Sequence, residues 1–320
     1  MADAIGSRLP SRLAYRLADL GGDAWRRFAP ERQRLVAANL ARVSRATGQP
    51  DRGPALQRLV RDAFRAHARY YLELLRYRSY GPRQIDEHIA VDDWPRLARE
   101  LRGQATIVAV PHLGNFEPLG NFLAKEGLPA LAPIEEIEPP ELFEFVLARR
   151  AGGTGHVTIV PLARARRPML DALKRGEIVA LIADRDLSGD GLPVTFFGSP
   201  TTMPAGPATL ALLSGARLMT ARVLRAGPDR FHVRGEWLDW TPGPDRRADI
   251  AAITQRIAER FEAAIAEAPE QWWGAFQPIW PDMHSGDAAA GAATDAAAGA
   301  ATDAAADATD AGTAAQAPSR

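Results

Sequence analysis

Ile107-Val108-Ala109-Val110-Pro111-His112-Leu113-Gly114-Asn115-Phe116-Glu117 is the stretch on which the fold turns. Its first four residues are β-prone and read as a buried strand. Pro111 stops the strand, His112 follows at once, and Gly-Asn leads into a helix-like run from Phe116 to Glu126. His112 therefore falls where the carboxyl end of a strand turns into a helix. In open α/β sheets that edge is where ligands bind. Glu117 falls in or just before the first helical turn, where its carboxylate can fold back towards the imidazole. A carboxylate on one ring nitrogen fixes the tautomer and makes the other a better base. The stretch thus marks His112 as a candidate general base and Glu117 as the group that orients it.

Further strands are predicted at 157–160, 178–183, 218–223 and 231–235. Helices are predicted between them at 116–126, 140–151, 167–175 and 204–214, and a last amphipathic helix at 248–267. Such alternation indicates an α/β fold with a largely parallel central sheet flanked by helices. Three helices precede it. In 9–20, Leu9, Leu13, Leu17 and Leu20 share a face, with Arg8, Arg12 and Arg16 along one flank. This is the pattern of a helix lying on an anionic membrane, or of one packed on its own domain. Pro30 and Glu31 open a second helix. The third spans 56–75, with Phe64, Ala68, Tyr71 and Leu75 on one stripe and His67 as a packing or surface histidine. Residues 1–284 are expected to form one domain, a helical segment (1–80) leading into the α/β core (88–284). After His284 the chain is almost wholly Ala, Asp, Gly and Thr. With so little to bury, 285–320 is expected to be a disordered tail.

The charge balance is 39 basic against 39 acidic residues. Five aspartates and one arginine lie in 285–320, so 1–284 carries a net +4, too little for a nucleic-acid binder. Only Lys125 and Lys174 among the basic residues are lysine, so arginine number is poor evidence for phosphate binding. The absence of cysteine excludes thiol catalysis, disulfides and thiolate metal sites. No apolar run approaches the roughly 20 residues that span a bilayer, and no signal peptide is visible. The expected location is therefore cytoplasmic, resting on a membrane. His156, His232 and His284 form no metal-ligand spacing. No nucleophile elbow, Walker loop or dinucleotide fingerprint occurs.

A second strand end completes the candidate site. The predicted strand 178–183 ends in Asp184-Arg185-Asp186. In a parallel sheet its carboxyl end faces the same edge as His112. Charges there are costly to desolvate unless paired. Two readings are open: a structural ion-pair knot, or Asp184 supporting the catalytic charge network while Arg185 or Asp186 organises substrate.

His112-x4-Glu117 resembles the HX4D/E motif of the lysophospholipid acyltransferase superfamily. The wording His-Leu-Gly-Asn-Phe-Glu is similar to the branch that holds lipid A and phosphatidylinositol mannoside acyltransferases. Ala183-Asp-Arg-Asp-Leu and Phe196-Phe197-Gly198-Ser-Pro-Thr-Thr-Met203-Pro204-Ala205-Gly206-Pro207 resemble the mannoside acyltransferases nearly word for word. Pro269-Glu-Gln-Trp272 resembles a C-terminal motif of the lipid A enzymes. The likeness covers roughly 10–282. Two departures stand out: Glu117 where many relatives carry Asp, and a glycine cluster after Arg149-Arg150. The resemblance implies an acyltransferase-like fold and a metal-free site with no cofactor. It implies acyl-CoA as co-substrate, transfer to a mannose hydroxyl of a glycolipid, and attachment to the inner face of the cytoplasmic membrane. It also implies a phosphate-binding arginine, Arg149 or Arg150, with Arg150 favoured. The alternatives are a lipid A lauroyl or myristoyl transferase, a non-catalytic lipid-binding protein of the same fold, and a hydrolase.

Overall fold

The computed structural model describes residues 9–76, 80–135, 157–186 and 188–283. Arg8, Arg149, Arg150, the 140–151 helix and the 285–320 tail lie outside the described residues. The chain opens with α1 (Ser11–Phe28), α2 (Pro30–Ala46) and α3 (Gly53–Arg76). Then follow α4 (Pro82–His88), β1 (Ile89–Val91), α5 (Trp94–Leu101), β2 (Thr106–Val110), α6 (Glu117–Lys125), β3 (Ala130–Ile134) and β4 (Val157–Pro161). The second half runs α7 (Arg166–Lys174), β5 (Ile178–Ile182), β6 (Leu192–Phe196), β7 (Ser199–Met203), α8 (Gly206–Ser214), β8 (Arg217–Gly227), β9 (Arg230–Trp237) and α9 (Arg246–Glu267). Seven strands form one sheet in the order β1-β9-β8-β2-β5-β3-β4, and β6-β7 form a separate hairpin. Strands β8, β2, β5, β3 and β4 are mutually parallel. β9 returns antiparallel to β8, and β1 pairs parallel to β9. The α/β reading with a mostly parallel sheet and an N-terminal helical segment holds.

Strand β2 is central and every one of its residues is buried. Side chains alternate across a strand, so its two faces serve different layers. Ile107 and Ala109 join the main core with Val179 and Leu181 of β5, Phe64 of α3 and Phe261 of α9. Val108 and Val110 face a smaller core with Leu101, Leu123 and Met219.

Several elements were not foreseen. β1 is three residues long, and α4 and α5 are short. β3 reads Ala-Leu-Ala-Pro-Ile, a weak strand pattern; it pairs with β5 only through Ala130 and Leu131, before the proline. The Phe197-Gly198 pair joins β6 to β7 with φ of 49° and 70°, as a two-residue hairpin turn requires.

The helical segment packs with faces other than those expected. α3 buries Val60, Phe64, His67 and Tyr70, whereas Tyr71 of the expected stripe is exposed. On α1 the buried residues are Ala14, Tyr15 and Gly22. Gly22 lies so close to α3 that a Cβ there would come within 2.8 Å of Arg65 Cα. Asp19 takes two bonds from Arg69 (2.6 and 2.8 Å), and Asp23 two from Arg65 (2.9 and 2.6 Å). Leu13, Leu17 and Leu20 point away from α3 and are exposed.

His67 is a packing histidine. Its ring lies among Trp25, Phe276 and Trp273, with centroids 5.2, 4.4 and 5.8 Å away. Burial, helped by the charges of Arg32 and His112, pushes its pKa down to about 3. A folded value below that of the unfolded chain means that the unfolded chain binds the proton first. Stability from this group is complete above the unfolded pKa, near 6.5, and falls as pH drops towards 3. Urea denaturation of the wild type should therefore lose a few kcal/mol more between pH 7 and 4 than that of His67→Gln. Parallel curves would show that His67 does not titrate between the two states.

Candidate active site

The site follows from one strand register. β2 and β5 are neighbours with Val110 opposite Ile182, and Ala183 donates its N–H to the Val110 carbonyl at 3.0 Å. His112 lies two residues beyond Val110, and Asp184 two beyond Ile182. The parallel pairing therefore sets them side by side at the sheet's carboxyl edge. Asp184 Oδ1 is 2.6 Å from His112 Nδ1, and its Oδ2 accepts the His112 backbone N–H at 3.0 Å. The indole N–H of Trp272 donates to the same Oδ2 at 2.9 Å. Asp184 is buried. Burial pushes its carboxyl up, but the His112 charge and the bonds from His112 and Trp272 outweigh it and hold the group below the usual carboxylate range. An ionised acceptor on Nδ1 makes the neutral ring carry its proton there, so the lone pair sits on Nε2. This is the support geometry of a general base.

The turn that carries His112 is clamped on both sides. Gly114 has φ +63°, and a Cβ there would stand 1.7 Å from the Val223 carbonyl oxygen. That same oxygen accepts the Asn115 N–H at 3.2 Å. On the other side, Gly114 N–H donates to the Gln271 carbonyl at 2.9 Å, and Trp273 N–H to the His112 carbonyl at 2.9 Å. The Trp273 ring meets the imidazole edge to face, centroids 4.4 Å apart.

Glu117 begins α6. Its backbone N–H donates to Asn115 Oδ1 at 3.0 Å, and its carboxylate accepts from the Tyr70 hydroxyl at 3.0 Å. The partner at His112 Nδ1 is thus Asp184 rather than Glu117: strand register outranks closeness in sequence. Glu117 instead stands with Phe116 at a cavity of about 190 Å³ on the β2 face that carries Val108 and Val110. The remaining walls are almost all aliphatic or aromatic, among them Trp94, Leu119, Ile159 and Met219. The combination is a supported imidazole at the end of β2 and a mostly apolar cavity, lined in part by Glu117, on one face of the same strand.

The family model described as bacterial lipid A biosynthesis acyltransferase matches residues 4–280. The chain belongs to the bacterial lipid A biosynthesis acyltransferase family. It is also 34% identical over 264 residues to a phosphatidylinositol mannoside acyltransferase of Mycolicibacterium smegmatis, covering 80% of this chain and 81% of the relative. A protein of the same name in Mycobacterium tuberculosis (strain CDC 1551 / Oshkosh) is 32% identical over 225 residues, 67% of this chain and 68% of the relative.

In this family member the remaining candidate residues divide. Asp186 accepts from the Gly189 and Gly191 N–H groups at 2.9 and 3.0 Å and from the Thr202 hydroxyl at 2.8 Å, which pins the following loop to β7. Arg185 donates to Glu135 at 3.0 Å. These contacts lend no support to the substrate-binding roles expected of the two. Trp272, Tyr70 and Asn115 were not foreseen as site residues. The visible signal for Trp272 was the Pro-Glu-Gln-Trp string itself. Gly274 is needed beside it, since a Cβ there would lie 2.5 Å from Trp272 Nε1 and 2.9 Å from Asp184 Oδ2.

Gly114→Ala tests the clamp. The left-handed backbone alone costs on the order of 1–3 kcal/mol for a residue with a side chain, and the Val223 carbonyl must also move. Chemical denaturation should show at least that loss, and the remaining folded protein should have lost most of its acyl transfer. A stable, fully active Gly114→Ala protein would show that the turn tolerates displacement from β8.

Proposed function

We propose that the protein transfers an acyl group from acyl-CoA to a mannose hydroxyl of a phosphatidylinositol mannoside, with His112 as general base. The observation that carries this reading is the supported His112 at the end of β2, the strand whose Val108 and Val110 line an apolar cavity together with Glu117. The cavity accepts a hydrocarbon chain, which leaves the thioester carbonyl near the imidazole. His112 Nε2 takes the proton of the acceptor hydroxyl as its oxygen attacks that carbonyl. The tetrahedral oxyanion then collapses, the carbon–sulfur bond breaks, and the imidazolium returns its proton to the departing thiolate. No covalent acyl-enzyme is needed. Asp184 holds the ring and compensates its positive charge, and Glu117 adds a second negative charge at the cavity wall. Arg149 and Arg150 remain our candidates for holding the CoA phosphates, by bidentate geometry. The names of the relatives support the mannoside acceptor. The name of the family supports lipid A as a second reading.

Attachment to the inner face of the cytoplasmic membrane belongs to the same proposal. Among the described residues no helix is long and apolar enough to cross a membrane. On α1, Leu13, Leu17, Leu20 and Phe28 form one outward stripe, with Phe28 82% exposed. Arg12, Arg16 and Arg27 on the same helix are exposed as well. Such a helix lies in a membrane interface with its apolar face down.

Thiol release from palmitoyl-CoA with a purified mannoside acceptor tests the chemistry. A lost general base costs about 10²–10⁴-fold in rate, so His112→Ala should fall by that factor with acyl-CoA binding retained. Glu117→Gln and Asp184→Asn should lose less than His112→Ala, and each double mutant with His112→Ala should be scarcely worse, because the groups act as a unit. A folded, active His112→Ala protein overturns the mechanism. Release only with a lipid A precursor favours the second reading, and release without any acceptor favours a hydrolase.

Leu17→Glu combined with Leu20→Glu should abolish co-sedimentation with anionic vesicles while the melting temperature stays within error, since both side chains are exposed. Unchanged binding would assign α1 another role.

A further inference from the structure

We infer that Glu73, on α3 and 39 residues before His112, is a positioning residue for the catalytic turn, acting through Asn115. The inference rests on the proposed acyl transfer. Glu73 is wholly buried and so is Asn115. One Glu73 oxygen, Oε2, accepts from Asn115 Nδ2 and from Arg225 Nη2, both at 2.8 Å. The other, Oε1, accepts from Arg225 Nε and, at 2.7 Å, from the Tyr15 hydroxyl.

A carboxylate can only accept, whereas an amide has a donor end and an acceptor end. Glu73 therefore decides which way the Asn115 amide faces. With its NH₂ turned to Glu73, the amide presents Oδ1 to the Glu117 N–H, 3.0 Å away. That N–H is one of the first-turn donors that a helix cannot satisfy itself. The first turn of α6 and the Glu117 carboxylate above it are thus aimed from α3. Arg225 neutralises Glu73 and ties it to β8, the strand whose Val223 carbonyl clamps Gly114 and Asn115. A Glu73 that only stapled α3 to the sheet would not need Asn115.

The test uses the full-length protein and removes both charges together, so that no unpaired ion stays buried. Glu73→Leu with Arg225→Met takes the acceptor from Asn115. Glu73→Gln with Arg225→Met keeps an amide oxygen that can accept the same bond. We expect the first pair to lower kcat about 10- to 100-fold, the range that small misplacements of a reacting group produce, with KM for palmitoyl-CoA unchanged. The second pair should return to within a few-fold of wild type, even where the two have the same melting temperature. Adding Asn115→Ala to the first pair should cost little more. Equal kcat in the two pairs, or a multiplied loss on adding Asn115→Ala, overturns the inference. Asn115→Ala alone leaves the Glu73–Arg225 pair in place and decides the matter if the pairs do not fold: full activity there also overturns it. Deuterium uptake by the 113–119 segment is a readout independent of turnover. It should rise in the Leu pair and in Asn115→Ala but not in the Gln pair. If the wild type releases no thiol, the function reading fails, and the uptake comparison still decides the role of Glu73.

Discussion

Asp184 has almost no contact with solvent and remains ionised. Taking a carboxylate out of water costs several kcal/mol unless its lone pairs are met by good donors and a nearby positive charge. Here three donors come from two parts of the chain: the backbone and ring of His112 after β2, and the indole of Trp272 after α9. The chain closes around this acid. β2 and β5 must be neighbours in their observed register, and the 271–274 segment must reach the sheet edge. When it does, the same segment accepts the Gly114 N–H and donates to the His112 carbonyl. Satisfying one buried charge therefore also locks the turn that carries the base.

A second buried charge organises the other side of that turn. The Glu73–Arg225 pair joins the helical segment to β8, and Arg76–Asp229 repeats the device one turn further along α3 at 3.1 Å. Buried ion pairs are weak sources of net stability but strong enforcers of geometry, because any arrangement that separates them leaves an uncompensated charge. The helical segment is accordingly part of the site's support. The exposed leucines of α1 and the buried Tyr15 lie on opposite sides of one helix, so the surface proposed to meet lipid is fixed in orientation relative to the cavity.

Elements with strong local patterns were legible in the sequence. The β-branched runs of β2 and β5, the Pro-Glu start of α2 and the long α9 all stand close to where periodicity puts them. β3, with two alanines and a proline, and the three-residue β1 carry too little local signal; they exist because neighbouring strands offer pairing. His112 and Asp184 were readable as strand-end residues, each from its own strand. Their bond was not, because it depends on which strands are adjacent, a property of the whole sheet. Glu117 was matched to the imidazole because it is near in sequence, yet five residues along a turn and into a helix lead to Tyr70 and the cavity wall. Asn115 and Trp272 escaped because their roles consist of hydrogen bonds to acids 42 and 88 residues away.

The two faces of β2 explain how a rigid site and an open slot coexist in one sheet. Ile107 and Ala109 are wholly buried in the main core, which draws on α2, α3, α9 and the aromatic segment with Trp272 and Trp280. At about 25 cal/mol per Å² of apolar surface removed from water, that face supplies most of the burial that holds the sheet. Val108 and Val110, on the other face, line the cavity along with Ile178, Ala180 and Met219. An empty apolar cavity forfeits dispersion contacts and is destabilising in proportion to its size. A sheet packed only on the cavity side would be marginal for that reason. With the load carried opposite, the cavity face is free to keep an apolar cavity. Val108 and Val110 belong to the strand whose end carries His112, so β2 itself ties the cavity wall to the supported imidazole.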